Sequence, residues 1–483
     1  MKADGTPLQQ QRLLSRTETE PRGAVLSLPP ERLNRCDRVV LGVLATSFLL
    51  LSILVLTRSA LLPRRYGDWN VFARAAWAVR NGDDLYDATD DNGFHYLYPP
   101  TFAILVAPLA DAPAGILRDG LLPYPATVLA WFFFNLVCLA LAAHWLAATL
   151  EHATPAWSAA DWRGSRGWWG LRVWPICVCL PAIGHTLVRG QVGMLMLLFL
   201  SGVISAAARG KSWRAGGWLA CAICLKVIPA LLLVYPLFRR DVRFLGGCAL
   251  GLIVGLVAIP VAVRGPRQTW RDYERWNEVM VAPALARGTD TSRAVEVLNV
   301  TATDSQSFLA MIHNTVFLDR STRPRQAATY TRLASYIASG LLLLTVLVAS
   351  RRAARSDAVA TVIVWGALIE LMMLASPVCH LHYFCLSVPL VAGLFGAAWY
   401  DCRRPKLGIG LWALFAINLA ANIVPHIRGM EVWRDVGLAG YAAVALVATA
   451  IVVLWRRRSP AGGIAFDLVR QRSPVSELNS CKS

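Results

Sequence analysis

An aspartate, a lysine and a pair of histidines interrupt this chain where its apolar surroundings give them no ordinary place. Asp68 opens the stretch DWNVFARAAWAVRN, just beyond the first long apolar run; acidic and aromatic turn formers then lead to Tyr96-Leu97-Tyr98-Pro99-Pro100. A carboxylate there can serve as a general base toward a hydroxyl if it faces a cavity. Lys226 breaks the apolar run 214–238, with Pro229 close behind. A cation in such a run has to reach water, a lipid head group or a phosphate. His380 and His382 lie in SPVCHLHYF, where either can carry a proton or donate to an anion. Arg189 and Gln191 flank Gly190 in a tight polar turn, and Ser305-Gln306-Ser307 and His313 follow a long polar loop.

Each of these has a plainer reading. Trp69, Phe72, Ala73, Ala76 and Val79 recur at helical spacing, so a helix begins at Asp68 and lays that face on the membrane. Asp68 then stands where an N-cap belongs. Asn81-Gly82 closes the helix, and Asp83, Asp84, Asp87, Asp90 and Asp91 read as solvated loop residues. Lys226 can snorkel. The two histidines lack a third ligand, and no HExxH, paired CxxC, Walker loop or strand-borne GxGxxG occurs. The expectation is a site with no metal and no cofactor. Cys221-Ala-Ile-Cys224 has redox spacing without a βαβ setting, so it reads as small apolar packing.

The elements that hold these residues are membrane helices. The chain has 483 residues, 56% hydrophobic and only 16% charged, with a mean hydropathy of +0.47. Its apolar blocks reach the ~20 residues a bilayer requires. Spans are expected at 39–62, 122–148, 171–188, 191–207, 243–264, 329–350, 358–375, 383–400, 406–424 and 435–455. Residues 98–112 are too short to span and read as juxtamembrane or re-entrant. Residues 214–238 should dip in and return as a hairpin with Lys226 near its apex. The net charge of +18 sits in clusters at span ends, such as Arg239, Arg240 and Arg243, which is a positive-inside pattern rather than a nucleic-acid surface. Residues 1–36 and 459–483 read as disordered cytoplasmic tails, 37–458 as the transmembrane domain, and 63–121 and 265–328 as outside loops. On that topology Asp68, Tyr98, Arg189, Gln191, Lys226, Gln306, His313, His380 and His382 all fall at the extracytoplasmic ends of spans. Short helices near Trp270 and after Ser307 would roof a cavity there.

Taken with their order, these residues resemble glycosyltransferase family 87, the polyprenyl-phosphate-mannose-dependent mannosyltransferases of GT-C fold. Asp68-Trp69, Gly82, Leu85-Tyr86, the Tyr96–Pro100 run, Gly190-Gln191, Lys226 with Pro229, Ser305-Gln306-Ser307 and Ser376-Pro377 with His382 carry the likeness. The chain departs from the family pattern at Ser305, where an asparagine is usual, at His380, which stands in a tryptophan position, and at Tyr383, where a second histidine is usual. The resemblance implies an all-α GT-C-like bundle of about ten to twelve membrane helices. It also implies an inverting transfer of a hexose, mannose by analogy, from a polyprenyl-phosphate donor to a lipid or glycan acceptor at the extracytoplasmic face of the membrane; the lack of a nucleotide site and the compact loops favour a bacterial inner membrane over an endoplasmic reticulum. Asp68 and His382 are then the candidate bases. Lys226, Arg189 and His380 would meet the donor phosphate, and Trp69, Tyr98, Gln191 and Gln306 the substrates. The competing reading is a secondary transporter or lipid flippase, which would also use a broken helix but tends to show paired repeats. No second segment like 214–238 is found.

Overall fold

The computed structural model describes residues 32–62, 67–118, 120–152, 162–284, 305–351, 357–400 and 405–457. Tyr66, the tails 1–31 and 459–483, and Arg352, Arg355, Arg403, Arg404 and Arg458 lie outside the described residues. Among those described, helices carry the chain and no strand forms; the β-type pairing consists of the isolated bridges Thr89–His95 and Ser305–His380.

The first apolar run forms α1 (Arg35–Val55), opened by Asn34 and Asp37 bonding each other's backbone N–H groups and extended by a π-helical turn to Leu61. It is followed by α2 (Trp69–Asn81), α3 (Pro100–Leu105), α4 (Tyr124–His152), α5 (Arg166–Val178) and α6 (Leu180–Arg189). The middle of the chain holds α7 (Gly193–Ala208), α8 (Ser212–Leu225), α9 (Val234–Phe238), α10 (Val242–Leu252) and α11 (Ile259–Arg264). Beyond them come α12 (Pro266–Trp276), α13 (Phe308–Val316), α14 (Thr329–Ser350), α15 (Ala358–Ala375), α16 (Val388–Tyr400), α17 (Pro405–Ile423), α18 (Glu431–Asp435) and α19 (Leu438–Arg456).

Eight helices among the described residues are long and apolar enough to cross a membrane, or nine if α5 and α6, bent by 66° at their junction, form one broken span. That is fewer than the ten to twelve expected. Of the ten stretches read as spans, 191–207 forms α7, which has 16 residues, and 171–188 falls in the bent pair α5–α6. Val39, Leu49 and Leu50 of α1 and Leu333, Leu341 and Leu344 of α14 are exposed apolar side chains, suited to lipid tails, whereas α15 is buried along its length.

The hairpin forms as expected. α8 stops at Lys226, whose backbone is extended (φ −155°, ψ 130°). A 3-10 turn (Ile228–Leu233) and α9 bring the chain back. Ser212 Oγ then donates to Asp241 Oδ2 at 2.7 Å, joining the two ends. Residues 98–112 form only α3 and a single 3-10 turn, so they do not span.

α2 does not lie on the membrane as its apolar stripe suggests. It is buried on all sides from Trp69 to Ala76, with Arg74 paired inside the protein and Asn70 buried with neither side-chain polar atom hydrogen-bonded among the described residues. Arg74 is 4% exposed and pairs with Asp91 at 3.0 Å and Asp111 at 3.4 Å. Arg264 donates to the carbonyls of Ala78 (3.3 Å) and Val79 (3.4 Å) at the helix C-terminus and to that of Asp83 (2.8 Å). Gly82 ends the helix in the left-handed region, as read from Asn81-Gly82. Asp90 is not a solvated loop residue: it is 8% exposed, and its Oδ1 accepts from the backbone of Asn92 and Phe94 at 2.8 Å each. α12 docks on this loop through Trp276 Nε1 to Leu97 O (3.3 Å) and Arg275 to Asp87 (3.2 Å).

Candidate active site

The site is built where α6 ends against the start of α2. Gly190 caps α6 at φ 68°, and a Cβ there would lie 2.8 Å from Trp69 Cβ. Only glycine allows that approach without strain. It lets Asp68 N donate to Arg189 O at 2.7 Å and Trp131 Nε1 to Gly190 O at 2.8 Å. Trp69 is 2% exposed, stacks on Trp131 with centroids 4.9 Å apart, and donates to Thr127 Oγ1 at 3.2 Å. Its ring is therefore occupied inside the protein and anchors the residue beside it.

Asp68 makes no side-chain cap to α2. Its carboxylate instead accepts from Gln191 Nε2. Gln191 Oε1 in turn accepts from Tyr98 Oη at 3.2 Å. Burial pushes the Tyr98 hydroxyl up to about 12, against the opposing pull of Lys226, so it remains a donor. Lys226 Nζ bonds to Tyr383 Oη and stands 4.1 Å from the Tyr383 ring centroid and 5.3 Å from that of Tyr98. Tyr98 thus touches both the carboxylate half and the cationic half of the site.

His382 sits in a 3-10 turn (Leu381–Ser387) and is 2% exposed. Among the described residues, neither of its ring nitrogens has a hydrogen-bond partner. Tyr383 meets it edge-on at 4.6 Å and His380 stacks on it at 5.4 Å. Thr186 Oγ1 donates to His382 O at 2.8 Å, which ties this turn to α6. Gln191, Lys226, His382 and Tyr383 line one cavity with Met196 and Met372. Its volume of about 30 Å³ holds water rather than a sugar, so substrate entry requires the lining to part. Among the described residues no three His, Cys, Asp or Glu side chains converge as a metal site.

The other candidates lie apart from this cavity. Arg189 lines a separate crevice with Trp69 and Trp131. Gln306 is fully buried and spent on structure: its Nε2 donates to Arg434 O at 2.8 Å, and its Oε1 accepts from Gly440 N at 3.4 Å. With Ser305 Oγ accepting from Cys379 N (3.2 Å) and Ser307 Oγ donating to Pro377 O (3.1 Å), the segment clamps the turn that carries His380 and His382. His313 is fully buried with Nε2 3.0 Å from Pro324 O.

Tyr383, His185 and His426 were not singled out from the sequence for a role. Tyr383 holds Lys226. His185 lies 5.7 Å from His382 and 5.4 Å from His426, centroid to centroid, so four imidazoles run in file from His380 to His426. A lone histidine in an apolar helix was a legible signal for His185. The same signal marks Glu370, fully buried on α15, which does not line the cavity.

An all-helical bundle whose lysine and histidine line one cavity, with a carboxylate hydrogen-bonded to the Gln191 of its lining, defines a multi-pass membrane protein with the makings of an enzyme. Glycosyltransferase family 87 is matched over residues 96–377, more than half of the chain, and the chain belongs to that family. It is a glycosyltransferase. Asp68, His380 and His382 fall outside the matched residues. The polyprenol-phosphate-mannose-dependent alpha-(1-2)-phosphatidylinositol mannoside mannosyltransferase of Mycobacterium tuberculosis is 25% identical over 388 residues, 76% of this chain and 78% of that protein. The protein of the same name from Mycolicibacterium smegmatis is 25% identical over 222 residues, 44% of this chain and 46% of its own. The crystal structure of ArnT from Cupriavidus metallidurans bound to undecaprenyl phosphate superposes with a TM-score of 0.39 at 15% identity, covering 91% of this chain and 82% of that one. Similarity at that level adds nothing to the assignment.

Proposed function

We propose that this chain transfers a mannosyl residue, with inversion, from a polyprenyl-phosphate-linked donor to a hydroxyl of a lipid or glycan acceptor at the extracytoplasmic face of the cell membrane. Membership of family 87 and the names of the two mycobacterial relatives support the donor and the sugar. The observation that carries the chemistry is a carboxylate that does not cap its own helix, joined through Gln191 and Tyr98 to a lysine held by two tyrosines. The acceptor O–H proton passes to Asp68 as the acceptor oxygen attacks the anomeric carbon. The bond from that carbon to the phosphate oxygen breaks on the opposite face. The polyprenyl phosphate leaves with one more negative charge, which Lys226 meets, with His382 beside it. Gln191 orients the carboxylate, and Tyr98 Oη fixes the Gln191 amide. The basic clusters at the other ends of α8, α9 and α14 support the sidedness.

The test uses membranes containing the full chain and labelled polyprenyl-phosphate-mannose. Labelled lipid or glycan from wild type and little from Lys226→Met supports the reading. Donor lipid crossing the bilayer with no glycosidic product would replace it with the transport reading.

A further inference from the structure

A second cavity lies at the opposite end of the helices that form the catalytic one. α7, α8 and α15 contribute Met196 and Met372 near Lys226 at one end, and Ala207, Ser212 and Thr361 at the other. Thr361 and Met372 are about 16 Å apart along α15. The far cavity has a volume of about 280 Å³, against about 30 Å³ at the catalytic site, and approaches the ~300–1,000 Å³ typical of small-molecule sites.

Its floor is aromatic. Trp365 is stacked by Phe244 at 5.8 Å and met edge-on by Tyr235 at 5.3 Å. Its rim is polar, with Ser212, Arg239, Asp241 and Thr361. α8 and α10, which carry Ser212 and Phe244 of the lining, are in close contact: Gly216 packs on the Phe244 carbonyl and Gly247 on the Trp213 carbonyl, leaving no room for a side chain at either glycine. The acids at this end are engaged. Asp241 accepts from Phe244 N at 3.0 Å and Ser212 Oγ at 2.7 Å. Asp357 accepts from Ala360 N at 3.0 Å and pairs with Arg457 at 3.0 Å. Around them the two turns and the helix starts that follow add Arg209, Lys211, Arg214, Arg240 and Arg243. Arg351 stands over the Phe238 ring at 4.7 Å. The excess is cationic, so the complementary ligand is an anion. Trp213, Leu237 and Val242 are exposed among these cations, the mixture expected at the head-group level of a bilayer.

We infer that this cavity binds the head group of an anionic glycerophospholipid of the surrounding bilayer, with its phosphate at the Arg239 rim and its glycerol over Trp365. The inference is independent of the transferase reading. Purified full-length protein is placed in phosphatidylcholine nanodiscs containing a minor fraction of phosphatidylglycerol, and retained lipids are counted by native mass spectrometry. Wild type retains one phosphatidylglycerol in preference to phosphatidylcholine. Arg239→Gln weakens its retention by about tenfold or more, and Thr361→Trp, which fills the cavity, abolishes it. Arg243→Gln removes the same charge outside the cavity and stays within about twofold of wild type. If Thr361→Trp does not fold, Ala207→Leu serves as the smaller filler. Equal losses in Arg243→Gln and Arg239→Gln would reduce the effect to general surface attraction and overturn the site. So would equal retention of phosphatidylcholine, or displacement of the lipid by millimolar inorganic phosphate.

Discussion

Replacing Asp68 by asparagine separates the two roles that its position allows. A capping aspartate would bond to the N–H groups of its own helix, and losing such a cap costs about 1 kcal/mol of stability. Asp68 makes no such bond; its structural contribution is the backbone N–H donated to Arg189 O at 2.7 Å, which asparagine retains. Asparagine also keeps an oxygen for Gln191 Nε2. The fold should therefore change by less than about 0.5 kcal/mol, while the only proton-accepting charge in the Tyr98–Gln191–Asp68 chain is lost. A positioned general base contributes about 10²–10⁴ in rate, or ~2.7–5.4 kcal/mol. The assay is mannosyl transfer from labelled polyprenyl-phosphate-mannose, normalised to folded protein and run beside a thermal unfolding curve. A loss of at least about a hundredfold at an unchanged melting temperature is expected. Activity within about fivefold of wild type would refute the assignment and move the base to His382. A loss accompanied by a clear fall in melting temperature would refute the claim that Asp68 does not cap.

The remaining outcomes follow from the same geometry. Tyr383→Phe removes the hydroxyl from Lys226 but keeps the ring beneath it, so kcat/KM should fall about tenfold or more without loss of folded protein; an unchanged kcat/KM would deny that the pair matters. Gln306→Ala should lower stability by about 1–3 kcal/mol through its lost bonds to Arg434 and Gly440, with kcat per folded molecule nearly unchanged; a rise in KM alone would instead mark Gln306 as a substrate contact. Gly190→Ala forces a Cβ into Trp69 at positive φ, so it should cost about 1–3 kcal/mol and displace Asp68, seen as joint loss of melting temperature and activity. Tyr98 has its pKa raised from 10.0 to about 12 by burial. The fold favours the neutral phenol, its contribution is full below pH 10, and it fades only as pH rises through about 12. The activity ratio of wild type to Tyr98→Phe should accordingly be the same at pH 6 and pH 9; a ratio that changes over that range would show Tyr98 titrating.

The sequence by itself determined the kind of protein and most of its elements, because both rest on short-range patterns. Apolar block length specifies a span whatever packs around it, and α14 and α15 occupy 329–350 and 358–375 as read. Asn81-Gly82 stops α2 because only glycine takes that φ cheaply. A lysine and a proline inside an apolar run forced the hairpin around Lys226. Tertiary structure alone decided which polar residues meet. Gln191 and Tyr98 are neighbours of Asp68 because Gly190 lets α6 touch α2, and that contact spans more than a hundred residues of chain. Gln306, equally polar and equally suggestive in the sequence, was consumed by backbone groups near Arg434 and Gly440 that no local pattern reveals. The burial of Arg74 on α2 depended on Asp91 and Asp111 arriving from other segments, and that of the α2 C-terminal carbonyls on Arg264. Periodicity reports which face of a helix is apolar; whether the other face is also buried depends on partners elsewhere in the chain, since burying a polar group without one is costly.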